Sequence, residues 1–197
     1  MHIHIENVTI TTPGPELADI ESLLQRLASS SHAAQPAAAT AGAPRIGEVW
    51  AGQGGVYAGV ARYPDGDYHL VVADAKEGER DAIKWGGYGD DEPNATSDID
   101  GKANTLALVG SQTQHPAAEW AAGLSIGGHQ DWYLPSRREL RLAWVNVPEL
   151  FQSAWYWTST QISADAAWYQ GFDDGTQNGS AKSGELRARA VRRFKAQ

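Results

Sequence analysis

The sequence of 197 residues carries 24 acidic against 16 basic side chains, a formal net charge of −8, and contains no cysteine. Its length suits one domain with an appendage or two small domains. The acidic balance argues against a nucleic-acid-binding protein, and the lack of cysteine excludes disulfides, thiolate metal sites and cysteine nucleophiles.

Residues 1–30 predict a short strand followed by a helix. The helix has an apolar stripe at spacings of three and four residues, formed by Leu17, Ile20, Leu24 and Leu27. Because so short a helix is marginal in water, the stripe needs a partner surface. We expect that surface to be either its own strand, or another protein or a second copy of the chain. The segment lacks a basic stretch followed by an apolar one, so no secretory signal is expected.

Residues 31–44 predict a flexible linker, because small, polar and proline residues there offer nothing to bury. All eight tryptophans and all seven tyrosines lie beyond Arg45, so we place the main domain at residues 45–197. No apolar run of the chain is long enough to cross a bilayer, and no membrane insertion is expected.

Short strands and two helices predict an α+β fold for this domain. A hairpin is predicted from two alternating segments around the turn cluster at residues 64–67. The predicted strands are Val56 to Arg62, Tyr68 to Ala73, Trp155 to Ser159, Ala167 to Phe172 and Leu186 to Phe194. One helix is predicted from Pro116 to Leu124. Ser136 and Glu139 form a capping box that begins another, with Leu140 and Trp144 facing inward.

An acidic loop offers a calcium hypothesis. Its hard oxygen donors, the ligand type that Ca²⁺ prefers, are Asp90, Asp91, Glu92 and Asn94. The tripeptide Glu92-Pro93-Asn94 also matches the sugar-selecting tripeptide of calcium-dependent C-type lectins, although the tryptophan-asparagine-aspartate partner of that motif is absent from the sequence. The alternative is a solvated acidic loop without a metal.

The sequence carries no common catalytic motif. It lacks a phosphate-binding loop, a dinucleotide fingerprint, His-Glu-x-x-His and Gly-x-Ser-x-Gly. The adjacent carboxylates Asp173 and Asp174 could do acid–base work, but beside Gly175 they favour a turn. We therefore expect a protein that is not an enzyme and needs no cofactor except possible calcium. A metal-dependent hydrolase that uses the acidic loop is the enzymatic alternative.

Four motifs in a fixed order carry a family resemblance. They are the segment 128–140 (Gly-His-Gln-Asp-Trp-Tyr-Leu-Pro-Ser-Arg-Arg-Glu-Leu), 156–160 (Tyr-Trp-Thr-Ser-Thr), 171–175 (Gly-Phe-Asp-Asp-Gly) and 187–192 (Arg-Ala-Arg-Ala-Val-Arg). Together with residues 101–105, this half of the chain resembles the C-terminal domain family of the Legionella collagen-like adhesin.

The resemblance implies a C-type-lectin-like fold and a binding role. Relatives of that fold occur in phage tail proteins and in variable proteins of diversity-generating retroelements, while its oxidase branch needs cysteines that this chain lacks. In a structural interpretation, Trp132, Leu134, Trp157 and Val191 are core residues. Arg189 and Arg192 then pair with buried or half-buried carboxylates, because a guanidinium makes two directed bonds.

Ligand contacts are expected among aromatic, amide and acidic side chains of the late strands and turns. Strand alternation places Trp155 and Trp157 on one face and Tyr156 on the other, which predicts that Tyr156 is exposed if Trp157 is core. The full predicted set is Tyr156, Trp168, Tyr169, Gln170, Asp173, Asp174, Gln177 and Asn178. Aromatic platforms with amides suit recognition, and filling of a small core is the alternative.

The sequence thus predicts a recognition module for a host-surface glycan or protein. With no secretory signal expected, a virion component fits best: a phage tail or tail-fibre-associated protein, attached or self-associated through the stripe of residues 17–27. The alternative is a structural component of the virion with no ligand of its own. The virion placement is an analogy with relatives.

Overall fold

The computed structural model describes residues 42–73 and 75–196. The predicted docking stripe of Leu17, Ile20, Leu24 and Leu27, and most of the predicted linker, lie outside the described residues. In chain order the elements are β1 (Val49–Trp50), β2 (Gly55–Tyr63), β3 (Gly66–Ala73), α1 (Ala75–Gly78), β4 (Glu79–Lys84), a 3₁₀ turn (Pro93–Ala95), α2 (Gly101–Val109), α3 (Pro116–Ala122), α4 (Arg137–Asn146), a second 3₁₀ turn (Pro148–Leu150), β5 (Trp155–Gln161), β6 (Ala166–Gly171), β7 (Gln177–Ala181), β8 (Glu185–Arg189) and β9 (Val191–Lys195).

These strands form a four-stranded and a five-stranded sheet, and the α+β prediction is confirmed. The four-stranded sheet has the antiparallel order β1-β2-β3-β9, and the predicted hairpin of β2 and β3 is its centre. The five-stranded sheet has the order β4-β8-β5-β6-β7, in which only β5 and β8 run parallel.

The predicted single strand from Leu186 to Phe194 is wrong, because the chain changes sheets within it. β8 ends at Arg189 in the five-stranded sheet, and β9 begins at Val191 in the four-stranded sheet. Between them, Ala190 donates to the Gly78 carbonyl and accepts from the Ala73 amide, both at 3.0 Å. The apolar alternation of Leu186, Ala188 and Ala190 also ends at this point, because Ala190 and Val191 are adjacent apolar residues.

The inner strands β3 and β5, one in each sheet, have buried residues on both faces. In β3, Val71 and Ala73 join one core cluster, and Leu70 and Val72 join another. In β5, Trp157 belongs to the first cluster and Tyr156 to the second. The predicted core residues Trp132, Leu134, Trp157 and Val191 are all buried. Continuous burial along a strand is typical of sheets that lie between two layers.

The helices include the predicted capping box. Ser136 accepts from the Glu139 amide, and Glu139 accepts from the Ser136 amide, at the start of α4. Leu140 faces inward as predicted, whereas Trp144 is half-buried, with the Arg141 guanidinium 4.4 Å from its ring centre. Helix α2 was not predicted. Among the described helices, none combines the length and apolar character needed to cross a membrane.

Candidate functional site: a cleft at Trp155

A cleft of about 530 Å³ opens where β5 and β8 begin. Its lining comes from four segments of the chain and consists of Asp81, Ser153, Ala154, Trp155, Asp173, Glu185, Leu186 and Arg187. Asp173 belongs to the turn after β6, and Asp81 lies on β4. Carboxylates and a guanidinium thus surround an indole and a leucine side chain.

Trp155 is the most accessible aromatic group of this cleft. As the first residue of β5 it lies beyond the layer that covers the rest of the strand, and 48% of it is exposed. Its ring stacks on Tyr169 of β6, with the ring centres 4.9 Å apart and the planes at 21°. Tyr169 is buried and therefore fixes the orientation of the indole. The arrangement leaves an aromatic surface held in place beside polar groups.

Tyr156 is fully buried, so the predicted exposure is wrong. The alternation along β5 is as expected, but the second face of the sheet is also covered, by Phe151 and Phe172. The Tyr156 hydroxyl donates to Glu79 and accepts from the Gln152 amide. Burial and the hydrogen bond to Glu79 raise the pKa of Tyr156. Tyr156 is therefore a buried structural residue next to the cleft and offers no surface to a ligand.

Trp168 and Gln177 lie together at the start of α4 and do not line the cleft. The Arg137 guanidinium lies 3.6 Å from the centre of the Trp168 ring and also pairs with Asp98 at 3.1 Å. Gln177 donates to the Arg137 carbonyl at 2.8 Å. One face of the Trp168 ring is thus occupied by the protein itself.

Three other predicted residues, Gln170, Asp174 and Asn178, do not line the cleft. Gln170 is buried, and its amide donates to the Gly171 carbonyl at 2.8 Å. Asp174 is exposed and accepts from the Thr176 amide and hydroxyl, bonds that lower the pKa of Asp174 and form the turn. Asn178 is exposed and pairs in register with Tyr169. Of the predicted set, Asp173 lines the cleft and Tyr169 supports its indole.

The acidic loop has internal partners for its carboxylates. Asp90 accepts from Thr113, Asp91 from Gln161, and Glu92 from Ser111. The predicted fourth ligand, Asn94, is exposed. Among the described residues, no three histidine or acidic side chains lie close enough together to hold a metal ion.

Lys182 supplies a buried positive charge to this loop. Its ammonium donates to the Asp90 carbonyl and to Gln161 Oε1, both at 2.7 Å, and to the Gly87 carbonyl at 3.4 Å. It also lies 4.7 Å from the centre of the Trp85 ring. Burial lowers the pKa of Lys182, and the neighbouring Glu92 opposes that effect. These three oxygen atoms in and beside the loop therefore already accept hydrogen bonds from Lys182.

Arg189 and Arg192 both pair with carboxylates, as predicted. Arg192 binds the Asp131 carboxylate through Nε at 2.8 Å and Nη2 at 3.3 Å. Arg189 lies 3.7 Å from Glu79 and donates to the carbonyls of Ala73 and Leu150. Both guanidinium groups therefore join segments of the fold.

Sequence reasoning missed Trp155, Asp81, Glu185, Leu186 and Arg187. The one available signal was the position of Trp155 at the very start of a predicted strand, where the cover of a sheet commonly ends. The remaining four could not be placed beside it without knowledge of the strand order.

Residues 94–192, half of the chain, match the family model of the Lcl C-terminal domain. The matched segment contains every residue that lines the cleft except Asp81. No curated protein matches the chain.

Proposed function

Because the chain belongs to the Lcl C-terminal domain family, we propose that it is a non-enzymatic, adhesin-like surface-recognition module that binds a glycan in the Trp155 cleft. The family match favours recognition, and the cysteine-free sequence argues against the oxidase chemistry of one branch of related folds. A C-type-lectin-like fold is part of the proposal. It is supported by the family match and by the α+β architecture with two mainly antiparallel sheets.

The observation that carries the proposal is the exposed indole of Trp155 beside polar groups. Sugars have an apolar face of C–H groups that stacks on aromatic rings, and hydroxyl groups that donate to carboxylates. Trp155 offers the ring, while Asp173 and Glu185 offer acceptors at the same cleft. Ligand sites combine an apolar surface with polar groups that fix the orientation of the ligand, and this cleft offers both.

We further propose a setting in a virion, as a phage tail or tail-fibre-associated protein whose residues 17–27 attach it to other tail proteins or to copies of itself. The analogy with relatives in phage tails supports this placement. Mass spectrometry of purified particles should then find the chain among the virion proteins. Its absence from intact particles would argue against the placement without affecting the proposed ligand-binding role.

The experiment for the binding role compares Trp155→Ala with Tyr88→Ala in the full chain. Tyr88 is also an exposed aromatic residue, at 58%, but it does not line the cleft. Loss of one aromatic stacking partner should weaken attachment to host cells or isolated surface glycan about tenfold or more. Tyr88→Ala should bind as the unsubstituted chain does.

Two results would contradict the proposed role. Equal attachment by the Trp155→Ala variant, with the fold intact by circular dichroism, would remove the cleft from recognition. No attachment by the unsubstituted chain would favour the alternative, a structural component of the particle with no ligand of its own.

A further inference from the structure

The charge of Arg187 is already matched within the cleft. Its Nη1 atom pairs with Asp81, and it lies 3.7 Å from Glu79 Oε1. The guanidinium also lies over the ring of Tyr156, with 6.0 Å to the ring centre. Because two carboxylates share this one cation, Arg187 is poorly placed to attract an anionic ligand.

The other two carboxylates of the cleft are not matched in this way. Within residues 42–73 and 75–196, neither Asp173 nor Glu185 forms an ion pair within 4.0 Å. Lys84 lies opposite Glu185 in the β4–β8 ladder, but its ammonium does not come within that distance of any carboxylate of the described residues. Asp173 accepts a hydrogen bond from the Asp174 amide. The lining of the cleft therefore has an excess of negative charge.

The indole of Trp155 favours the same sign of ligand charge. One ring face is taken by Tyr169, which leaves the other available to a ligand. The face of an aromatic ring carries negative electrostatic potential and attracts ammonium groups. An aromatic face in the same cleft as two acidic side chains combines both attractions, and the negative charge of the cleft repels sulfate and carboxylate groups.

We infer that the ligand of the Trp155 cleft is an amine-bearing saccharide, whose sugar ring stacks on the indole and whose protonated amine lies between Asp173 and Glu185. This inference rests on the proposed function and names the ligand class of the same site. Sulfated and carboxylated polysaccharides are excluded as preferred ligands.

The experiment titrates the full chain with three saccharides while tryptophan fluorescence is recorded. They are a glucosamine oligosaccharide with free amines, the N-acetylated oligosaccharide of equal length, and a sulfated oligosaccharide. The free amine should bind about tenfold more tightly than the acetylated form, because it adds attraction to the carboxylates and the ring. This preference should decrease as salt is raised, because both acidic side chains are exposed.

Variants separate the charge from the stacking. Asp173→Asn and Glu185→Gln should each weaken binding of the free amine about two- to fivefold more than binding of the acetylated form, whose hydroxyl groups keep an amide oxygen as acceptor. Glu149→Gln, an exposed carboxylate that does not line the cleft, is the matched control and should change neither affinity.

The outcomes distinguish the inference from the proposed function. Equal affinity for free and acetylated saccharide, still lost in Trp155→Ala, overturns the charge inference and leaves the cleft as a glycan site. Preferred binding of the sulfated saccharide overturns the inference as well. No binding of any saccharide, with host attachment unaffected by Trp155→Ala, overturns both.

Discussion

The buried carboxylate of Glu139 gives the sharpest prediction about the stability of this fold. Its Oε1 accepts from the hydroxyls of Tyr63 at 2.5 Å and Tyr133 at 2.6 Å. Its Oε2 accepts from the Gly101 amide at 3.1 Å, and from the amide and the hydroxyl of Ser136, both at 2.8 Å. One side chain thereby joins β2, the segment before α4, and the first turns of α2 and α4.

Glu139→Gln should keep the shape of this network and remove its charge. The glutamine oxygen can still accept from Gly101 and Ser136, and the tyrosine hydroxyls can rotate to accept from the amide. A hydrogen bond to a charged group contributes about 1 kcal/mol more than a neutral one. Five such bonds are affected, and relief of the desolvation of a buried charge offsets part of the loss. We expect the free energy of unfolding to fall by about 3 kcal/mol.

Thermal and urea denaturation measure this loss. For a chain of this size, a change of about 3 kcal/mol corresponds to a fall in Tm of about 6–12 °C. The matched control is Glu149→Gln, where the same change is made at an exposed position and should alter stability by less than about 0.5 kcal/mol. Equal Tm values for the two variants would refute the reasoning, because they would show that the five hydrogen bonds of Glu139 carry no net charge-dependent stabilisation.

Three further predictions concern charge and backbone strain. Lys182→Met should lower the free energy of unfolding by about 2 kcal/mol, since carbonyl oxygens of the acidic loop lose their donor. Ca²⁺ should not raise the Tm of the unsubstituted chain, and a rise would instead support a metal in the loop. For Asp131, burial alone would raise the pKa, but the hydrogen bonds and charge of Arg192 outweigh it and lower the pKa below 3.8. The Asp131–Arg192 pair should therefore stabilise the fold above that pH and lose its contribution as the pH falls through the lowered pKa. The difference in stability between the unsubstituted chain and Asp131→Asn should then shrink in acid. A difference that stays constant with pH would contradict the lowered pKa of Asp131. Gly175→Ala should cost about 2 kcal/mol in urea denaturation, because Gly175 has a φ of +77° and an added Cβ would lie 2.4 Å from the Trp144 ring; unchanged stability would show that the ring moves freely.

Local signals in the sequence predicted the elements that local interactions determine. The hairpin of β2 and β3 follows from its turn residues, and the start of α4 follows from the capping box of Ser136 and Glu139. The burial of Glu139 was not predictable in the same way. Its tyrosine and glycine partners come from three other segments, and nothing in the spacing of the sequence brings them together.

Helix α2 was missed because most of its buried residues are polar or glycine. Leu106 and Val109 are exposed, whereas Asn104 and Thr105 are buried and bind backbone groups. A search for apolar periodicity finds no stripe in such a segment. Buried polar residues that replace missing backbone partners can be identified only when the neighbouring segments are known.

The sequence predicted the types of residue at the candidate site better than it predicted which individual residues line it. Aromatic and acidic residues of the late strands and turns do form a cleft, but the exposed ring belongs to Trp155 and not to Tyr156. The alternation of β5 was correctly derived, and the error came from the assumption that one face of the sheet meets water. Because β5 has neighbours on both faces, exposure is decided by the end of the strand.

The passage through Ala190 determines how the protein would carry mechanical load. β8 begins at the cleft, and Ala190 alone separates it from β9, which runs along β3 through five residue pairs. Tension applied to a ligand held at Glu185, the first residue of β8, would pass along β8 and reach β9 lengthwise, so the hydrogen bonds to β3 would be loaded in shear. Bonds loaded together in that direction resist rupture better than bonds opened one at a time, which would suit the proposed recognition role.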